Sequence, residues 1–286
     1  MNVSFLGLGI MGSRMAGNLL KGDVNLTVFN RSQAPIQELV KAGASAAASW
    51  EDAVRNADIV FTMLATPEAV AETALSEDGF LSAMKENALW VDCSTVNPSF
   101  SLKEAAAAAE HNVRFVDAPV AGSKGVAESG SLVFLAGGSE KDLKEVQSLL
   151  DIMGSKTIHP GDIGKGTSLK MLVNALLAQS MLVFSETVLL GEKLGLSRDF
   201  LLDTLPNLPV TAPFTKAKAE MIRKNEYEVQ FPLELMHKDL HLAALTAYEN
   251  NLPLYSVNMA KEIFAGAKKS GLGRNDFSAV FKYLEK

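Results

Sequence analysis

Three groups of residues in this chain have types and spacings that can do chemistry. The first is Gly7-Leu8-Gly9-Ile10-Met11-Gly12, which joins the apolar run Val3 to Leu6, a predicted strand, to a helix predicted over Ser13 to Lys21. In that setting Gly7 permits a tight turn, Gly9 lets the backbone approach a pyrophosphate, and Gly12 allows close helix–strand packing. The helix start adds free N–H groups for an anion, with Ile10 and Met11 in the same turn. A glycine turn serving structure alone is the alternative. The second group is Asn30-Arg31-Ser32, after the strand Leu26 to Phe29. An acidic residue here would accept from a ribose 2′-hydroxyl. Asn30 carries no charge, whereas Arg31 and Ser32 suit a 2′-phosphate, so NADPH is favoured over NADH. An exposed arginine in a turn is the plainer reading.

The third group is Lys170 and Asn174, four residues apart and so on one face of a helix. They lie in Gly164 to Gly195, a long apolar stretch without proline, expected to be a helix buried on most faces. Asn174, Gln179 and Glu186 interrupt it, which argues against a membrane span. A lysine on such a helix either pairs with a carboxylate, reaches to water with its tip, or takes part in catalysis. Lys238 beside Asp239 reads, from sequence alone, as a solvated pair.

The elements that must position these groups follow from the pattern. Asp58 to Leu64, Ala88 to Cys93, Arg114 to Val120, Leu132 to Ala136 and Lys156 to His159 read as strands. Between them come helices from Pro67 to Leu75, from the Asn97-Pro98 cap to Glu110, and from Ser139 to Met153. Repeated βα units imply a doubly wound, mostly parallel sheet, whose ligands lie beyond the carboxyl ends of the strands. The turns at Gly7, Asn30, Leu64-Ala65 and Ser94-Thr95 fall on that edge. So does Ala121 to Gly130, read as a small-residue loop able to offer N–H groups to a carboxylate. After Gly164 only helical patterns follow: Arg198 to Leu205, Pro213 to Asn225, Leu233 to Asn250, Ser256 to Ser270 and Asn275 to Leu284. The expected domains are therefore 1–163, α/β, and 164–286, all-α.

A chain of 286 residues with 48% hydrophobic and 21% charged residues can fill sizeable cores. Its net charge of -6 argues against general nucleic-acid binding. Cys93 is the single cysteine, so no disulfide forms within the chain, and a cytoplasmic, reducing location is expected. His111, His159, His237 and His241 lack ligand spacing, and no metal is expected.

Several stretches together resemble the β-hydroxyacid dehydrogenase family, in particular its glyoxylate/succinic semialdehyde reductase branch. They are GLGIMGSRMAGNLLK from Gly7, DCSTVNP from Asp92, DAPVAGSKGVAESGSL from Asp117, GKGTSLKMLVN from Gly164, FPLELMHKDLHLA from Phe231 and GLGRNDFSAVFK from Gly271. The resemblance spans essentially the whole chain. It implies a Rossmann-like N-terminal domain joined by a long interdomain helix to an all-helical domain, with the active site between them. By the same resemblance Lys170 is the catalytic lysine and Asn174 lies beside it. Thr95, Ala121, Gly122, Ser123, Phe231, Lys238 and Asp239 would line the substrate and nicotinamide region. The substrate would be a small carboxylate-bearing aldehyde or hydroxyacid, and the assembly a homodimer or homotetramer. The chain departs from the family pattern at Ala121, where serine is usual, at Glu234 and His241, and at Gly125-Val126 after Lys124. Two other classes remain: an NAD-dependent 3-hydroxyisobutyrate or other β-hydroxyacid dehydrogenase, and a non-catalytic cofactor-binding assembly protein.

Overall fold

The computed structural model describes all 286 residues. Contacts divide the chain into two compact units, Met1–Lys170 and Met171–Lys286. The division falls inside the long helix, while the last strand ends at Gly161.

The first unit contains nine strands: β1 Asn2–Leu6, β2 Asn25–Phe29, β3 Ser45–Ala46, β4 Ile59–Thr62, β5 Leu89–Asp92, β6 Arg114–Asp117, β7 Val120–Ala121, β8 Leu132–Gly137 and β9 Gly154–Gly161. They form one sheet in the order β3-β2-β1-β4-β5-β6-β8-β7, with β9 also paired to β8. From β3 to β6 every pairing is parallel; β8 runs antiparallel to β6 and β7 and parallel to β9. The connecting helices are α1 Gly12–Leu19, α2 Gln33–Lys41, α3 Trp50–Val54, α4 Pro67–Val70, α5 Pro98–Glu110, α6 Lys124–Glu128 and α7 Glu140–Met153, followed by the start of α8 Lys165–Lys193.

Helices cover both faces, so the central strands are apolar on both sides rather than alternating. Phe5, Phe61 and Val91 belong to one core with Met15 and Leu19 of α1. Leu6, Val60 and Trp90 face the other, with Val54 of α3 and Ala108 of α5. Fully burying side chains of this size contributes roughly 1.5–3 kcal/mol each. The parallel register also aligns the carboxyl ends of five strands. Leu6 pairs with Phe29 and Thr62, Thr62 with Asp92, and Asp92 with Asp117. That aligned edge is where the candidate residues gather.

Some local expectations change. The strand expected over Arg114 to Val120 stops at Asp117, because Pro119 has no N–H to continue the ladder, and β7 then pairs with β8. The helix expected over Pro67 to Leu75 becomes π-helical after Val70. The Ala121 to Gly130 loop contains the short helix α6. Asn97 occupies the cap position of α5, but its amide donates to Ser99 Oγ at 2.7 Å instead of capping the helix.

The second unit is helical: the rest of α8, then α9 Arg198–Thr204, α10 Thr215–Lys224, α11 Leu233–Glu249, α12 Tyr255–Ala267 and α13 Val280–Leu284. Its core includes Met181, Phe184, Val188, Met236, Leu240, Phe264 and Phe281. A buried ion pair holds its C-terminal segment. Lys218 Nζ lies 2.7 Å from Asp276 Oδ1 and 4.7 Å from the Phe277 ring centroid. Asp276 Oδ2 also accepts from the N–H groups of Gln230 and Phe231 at 3.2 and 3.1 Å. That fixes the chain just before α11, where Phe231 packs against Phe277 with centroids 5.8 Å apart.

The long helix differs from expectation. It is long and apolar enough to cross a membrane, with a mean hydropathy of 1.5 over its best window. Ala178, Met181, Leu182, Phe184 and Val188 make it a core helix of the second unit. It is not buried on most faces, however. Leu172, Leu176, Val183 and Leu190 form an outward stripe, each 60% exposed or more.

Candidate functional site

At the glycine turn the backbone is packed to its limit. Gly7 has φ 93°, a conformation other residues adopt at a cost, and its N–H donates to Phe29 O at 3.0 Å. A Cβ on Gly7 would sit 2.4 Å from Met63 O, and one on Gly12 would sit 1.9 Å from Gly7 O. Gly9 is different: a Cβ there would meet nothing within 4 Å. Gly7 and Gly12 are therefore required by the protein's own packing, and Gly9 faces open space. This is the division of labour a pyrophosphate cradle needs.

A cavity of about 220 Å³ opens over this edge and brings Gly7, Gly9, Asn30, Arg31, Leu64 and Ala65 together. Ile10, Met11, Gly12, Ser32 and Thr95 do not line it. Asn30 has a structural task in addition. Its Oδ1 accepts from the Leu8 N–H at 3.0 Å, and its amide donates to Ser32 O at 3.2 Å, clamping the second turn to the first. Ser32 stands at the N-cap of α2 without a side-chain capping bond. Sequence reasoning missed Phe29, Trp50, Glu72 and Thr73, which also line the cavity. Phe29 and Trp50 meet edge to face, with centroids 5.8 Å apart. The Ser49 cap on Asp52 N–H marks the start of α3 and was the available signal for Trp50.

Beside the cavity, buried carboxyl groups tie the strand ends together. Asp92 Oδ1 accepts from Thr62 Oγ1 at 2.6 Å, from Ser94 Oγ at 2.6 Å and from Ser94 N–H at 3.1 Å. Trp90 Nε1 donates to Thr62 Oγ1 at 2.8 Å, and the Leu64 N–H donates to Ser94 Oγ at 2.9 Å. The network thus pins Leu64, a cavity residue, and the turn that leads into Thr95. Glu104 on α5 is 0% exposed, and no donor reaches either of its oxygens. Burial, and then the Asp92 charge, push its carboxyl well above the ordinary range, while burial also raises the Asp92 carboxyl against the pull of its donors.

Asp117, at the end of β6, binds the entry of α8. Its Oδ1 accepts from Gly164 N–H at 2.7 Å, and its Oδ2 accepts from Thr167 N–H at 2.7 Å and Thr167 Oγ1 at 3.0 Å. Burial raises its pKa to about 6 against the pull of these donors. Lys170 follows Thr167 by one helical turn and is 8% exposed. The Ala121, Gly122 and Ser123 segment follows β6, with Gly122 at φ 144°.

Within the second unit, Asn174 and Asp239 are each 2% exposed. The Asn174 amide donates to Asp239 Oδ2 at 2.6 Å, and Lys238 Nζ lies 3.0 Å from Asp239 Oδ1. The solvated pair expected at Lys238 and Asp239 is therefore wrong: helix packing buries the carboxylate, and Asn174 bonds its Oδ2 while Lys238 lies against Oδ1. Asn174 Oδ1 itself is buried with no donor, an acceptor open to a hydroxyl or amine of a ligand.

Comparison with known proteins bears on what this arrangement does. The NAD binding domain of 6-phosphogluconate dehydrogenase matches residues 2–161, and the NAD-binding domain of NADP-dependent 3-hydroxyisobutyrate dehydrogenase matches residues 164–284. The chain belongs to the 3-hydroxyisobutyrate dehydrogenase-like family. It is 38% identical over 285 residues to glyoxylate/succinic semialdehyde reductase 1 of Arabidopsis thaliana, covering 100% of this chain and 99% of that one. It is 37% identical over 284 residues to 2-(hydroxymethyl)glutarate dehydrogenase of Eubacterium barkeri, covering 99% and 94%. The structure of Mycobacterium tuberculosis 3-hydroxyisobutyrate dehydrogenase with L-serine superposes with a TM-score of 0.90 at 29% identity, covering 100% and 99%. As a member of this family the chain is an NAD(P)-binding oxidoreductase acting on CH–OH groups.

The two kinds of glycine separate by experiment. Gly12→Ala should lose about 1–3 kcal/mol of stability through overpacking, seen as a lower melting temperature. Gly9→Ala should melt close to wild type yet bind the reduced nicotinamide cofactor, NADH or NADPH, more weakly in a fluorescence titration. A Gly9→Ala protein that melts below Gly12→Ala would contradict this assignment.

Proposed function

We propose that this dehydrogenase uses NADPH to reduce a small carboxylate-bearing aldehyde, such as glyoxylate or succinic semialdehyde, to the hydroxyacid, with Lys170 as general acid. The observation that carries the reading is a buried amine, Lys170 at 8% exposure, in the same unit as the glycine-turn cavity. The nicotinamide, when bound, supplies a hydride to the carbonyl carbon. Negative charge then grows on the carbonyl oxygen, and Lys170 hydrogen-bonds that oxygen and delivers its proton. The backbone N–H groups of Gly122 and Ser123 hold the substrate carboxylate and set the carbonyl in place. Ala121, lacking a hydroxyl, shapes the adjoining wall for the acid's chain. In the second unit the unpaired Asn174 Oδ1 is an acceptor that suits the hydroxyl of the hydroxyacid product. Thr95 adjoins the nicotinamide, with Ile10 and Met11 at the pyrophosphate.

Arg31 lines the cavity at the end of β2 and has no acidic neighbour at position 30. It suits a 2′-phosphate, which supports NADPH. A second reading, an NAD-dependent β-hydroxyacid dehydrogenase, draws on Glu72, which lines the same cavity and can accept from a ribose 2′-hydroxyl. A cytoplasmic location fits Cys93, a free and buried thiol. The exposed α8 stripe suits a second copy of the chain, since a lone helix face this apolar is costly in water.

Four measurements test these readings. Lys170→Ala should lower kcat about two to four powers of ten with the fold retained by circular dichroism, and near wild-type turnover would refute the acid role. Wild-type kcat/KM should favour NADPH over NADH. Arg31→Ala should cut kcat/KM for NADPH on the order of 10- to 100-fold, the worth of a charge-assisted bond; an NADH preference in the wild type selects the second reading. Leu176→Glu should shift the sedimentation coefficient toward a monomer, and an unshifted oligomer would remove α8 from the interface.

A further inference from the structure

The junction of β6, β8 and α8 is more tightly built than helix anchoring alone requires. Asp117 offers both carboxylate oxygens to the first turn of α8, through Gly164 N–H, Thr167 N–H and Thr167 Oγ1, at 2.7, 2.7 and 3.0 Å. The Thr167 hydroxyl also meets Ser101 Oγ of α5 at 2.9 Å. Beneath the turn two glycines leave no slack. A Cβ on Gly166 would sit 2.2 Å from Leu135 O, and one on Gly137 would sit 2.5 Å from Asp117 Oδ1 and 2.8 Å from Gly166 N. Gly137 is itself the register partner of Asp117 across the β6–β8 pairing. The helix start therefore has one axial position and one rotation about its axis.

The backbone of Asp117 leads in the other direction into Ala118, Pro119 and Val120, with Ala118 N–H bonded to Asp92 O at 2.7 Å. That short, proline-stiffened path ends at Ala121, Gly122 and Ser123. Lys170 lies three residues beyond Thr167, on the same helix face and roughly 4.5 Å further along the axis. One residue thus fixes both the segment assigned to the substrate carboxylate and the helix turn that carries the proton donor.

We infer that Asp117 is a positioning residue for the reaction: through Thr167 and Gly164 it sets the distance from the Gly122–Ser123 segment to the Lys170 ammonium. The inference rests on Lys170 as the general acid. Asp117 is buried and both its oxygens are taken up by the helix entry, so its effect on turnover passes through the lysine. A misplacement of about 1 Å between a catalytic group and the reacting atom costs on the order of 100-fold in rate. Asparagine at 117 keeps one acceptor and faces the other helix donors with an N–H, which releases one side of the clamp.

A double-mutant cycle tests this, with kcat for succinic semialdehyde reduction by NADPH measured on the full chain. Asp117→Asn should lower kcat on the order of 100-fold in the Lys170 background. In the Lys170→Ala background it should change kcat by less than about threefold, because the group it positions is already gone. The Kd for NADPH should stay within about twofold in both backgrounds, since the cofactor cavity is formed by other turns. A purely structural role predicts instead an equal loss in both backgrounds, and that result overturns the inference, as does a wild-type kcat for Asp117→Asn. If Asp117→Asn does not fold, Thr167→Val decides. It removes a single hydroxyl bond to Asp117 and should show a smaller loss in the Lys170 background only; equal losses in both backgrounds overturn the inference. Failure of the underlying reading is seen separately, as a wild-type kcat for Lys170→Ala alone.

Discussion

The carboxylate of Asp117 takes up three hydrogen bonds from the start of the longest helix, and much of the site depends on that grip. The first amides of a helix have no partners within it, so a buried helix entry needs acceptors from elsewhere. Here the acceptor is the last residue of a sheet strand, which places the helix dipole against a carboxylate and the helix against the strand end. Gly137 and Gly166 let the two backbones approach to the limit of contact. Ionising a buried Asp117 is costly, as its raised pKa shows, and the donors of the helix entry offset part of that cost.

The same edge repeats the device with different chemistry. Register aligns Phe29, Leu6, Thr62, Asp92 and Asp117 across the sheet, so strand ends that are far apart in sequence share one border. At one end of that border the groups are backbone amides and the Arg31 guanidinium around an open cavity. Further along they are buried carboxyl groups, with Asp92 held by hydroxyl and amide donors and the Glu104 carboxyl beside it pushed upward by burial. Burial raises both carboxyl groups, and the donors around Asp92 oppose that shift at Asp92. The result is a border that is rigid behind and open in front, which suits a ligand whose reacting carbon must be held to a fraction of an ångström.

Much of this was legible in the residues. The glycine spacing, the strand before it and the helix after it identified the turn because only glycine fits at Gly7 and Gly12. Arg31 was legible as a cavity residue, because the second strand end of such a sheet always borders the first. The burial of Lys170 and Asn174 was legible from the apolar helix that carries them. Other features were not. The strand split at Pro119 and the short helix α6 are local choices decided by pairing with β8 and by packing, which a composition of small residues does not encode. Trp50, Glu72 and Thr73 reach the cavity from elements far along the chain, and no periodicity marks which side of a short helix will face it.

By itself the sequence determined the periods: a βα alternation to His159, helices after Gly164, a glycine turn, and a lysine and an asparagine one turn apart. These follow from local sterics and burial pattern, which act over a few residues. Only the tertiary structure decided which distant groups meet. It set Asp117 against Thr167, Asp92 beside Glu104 and Asp239 against Asn174, and turned an apparently solvated Lys238–Asp239 pair into a buried network. It also left a stripe of α8 open where an apolar sequence alone implied burial on most faces. The physical reason is the same in each case. Hydrophobic pattern fixes that a face is covered, but the identity of the covering group depends on chain topology and sheet register.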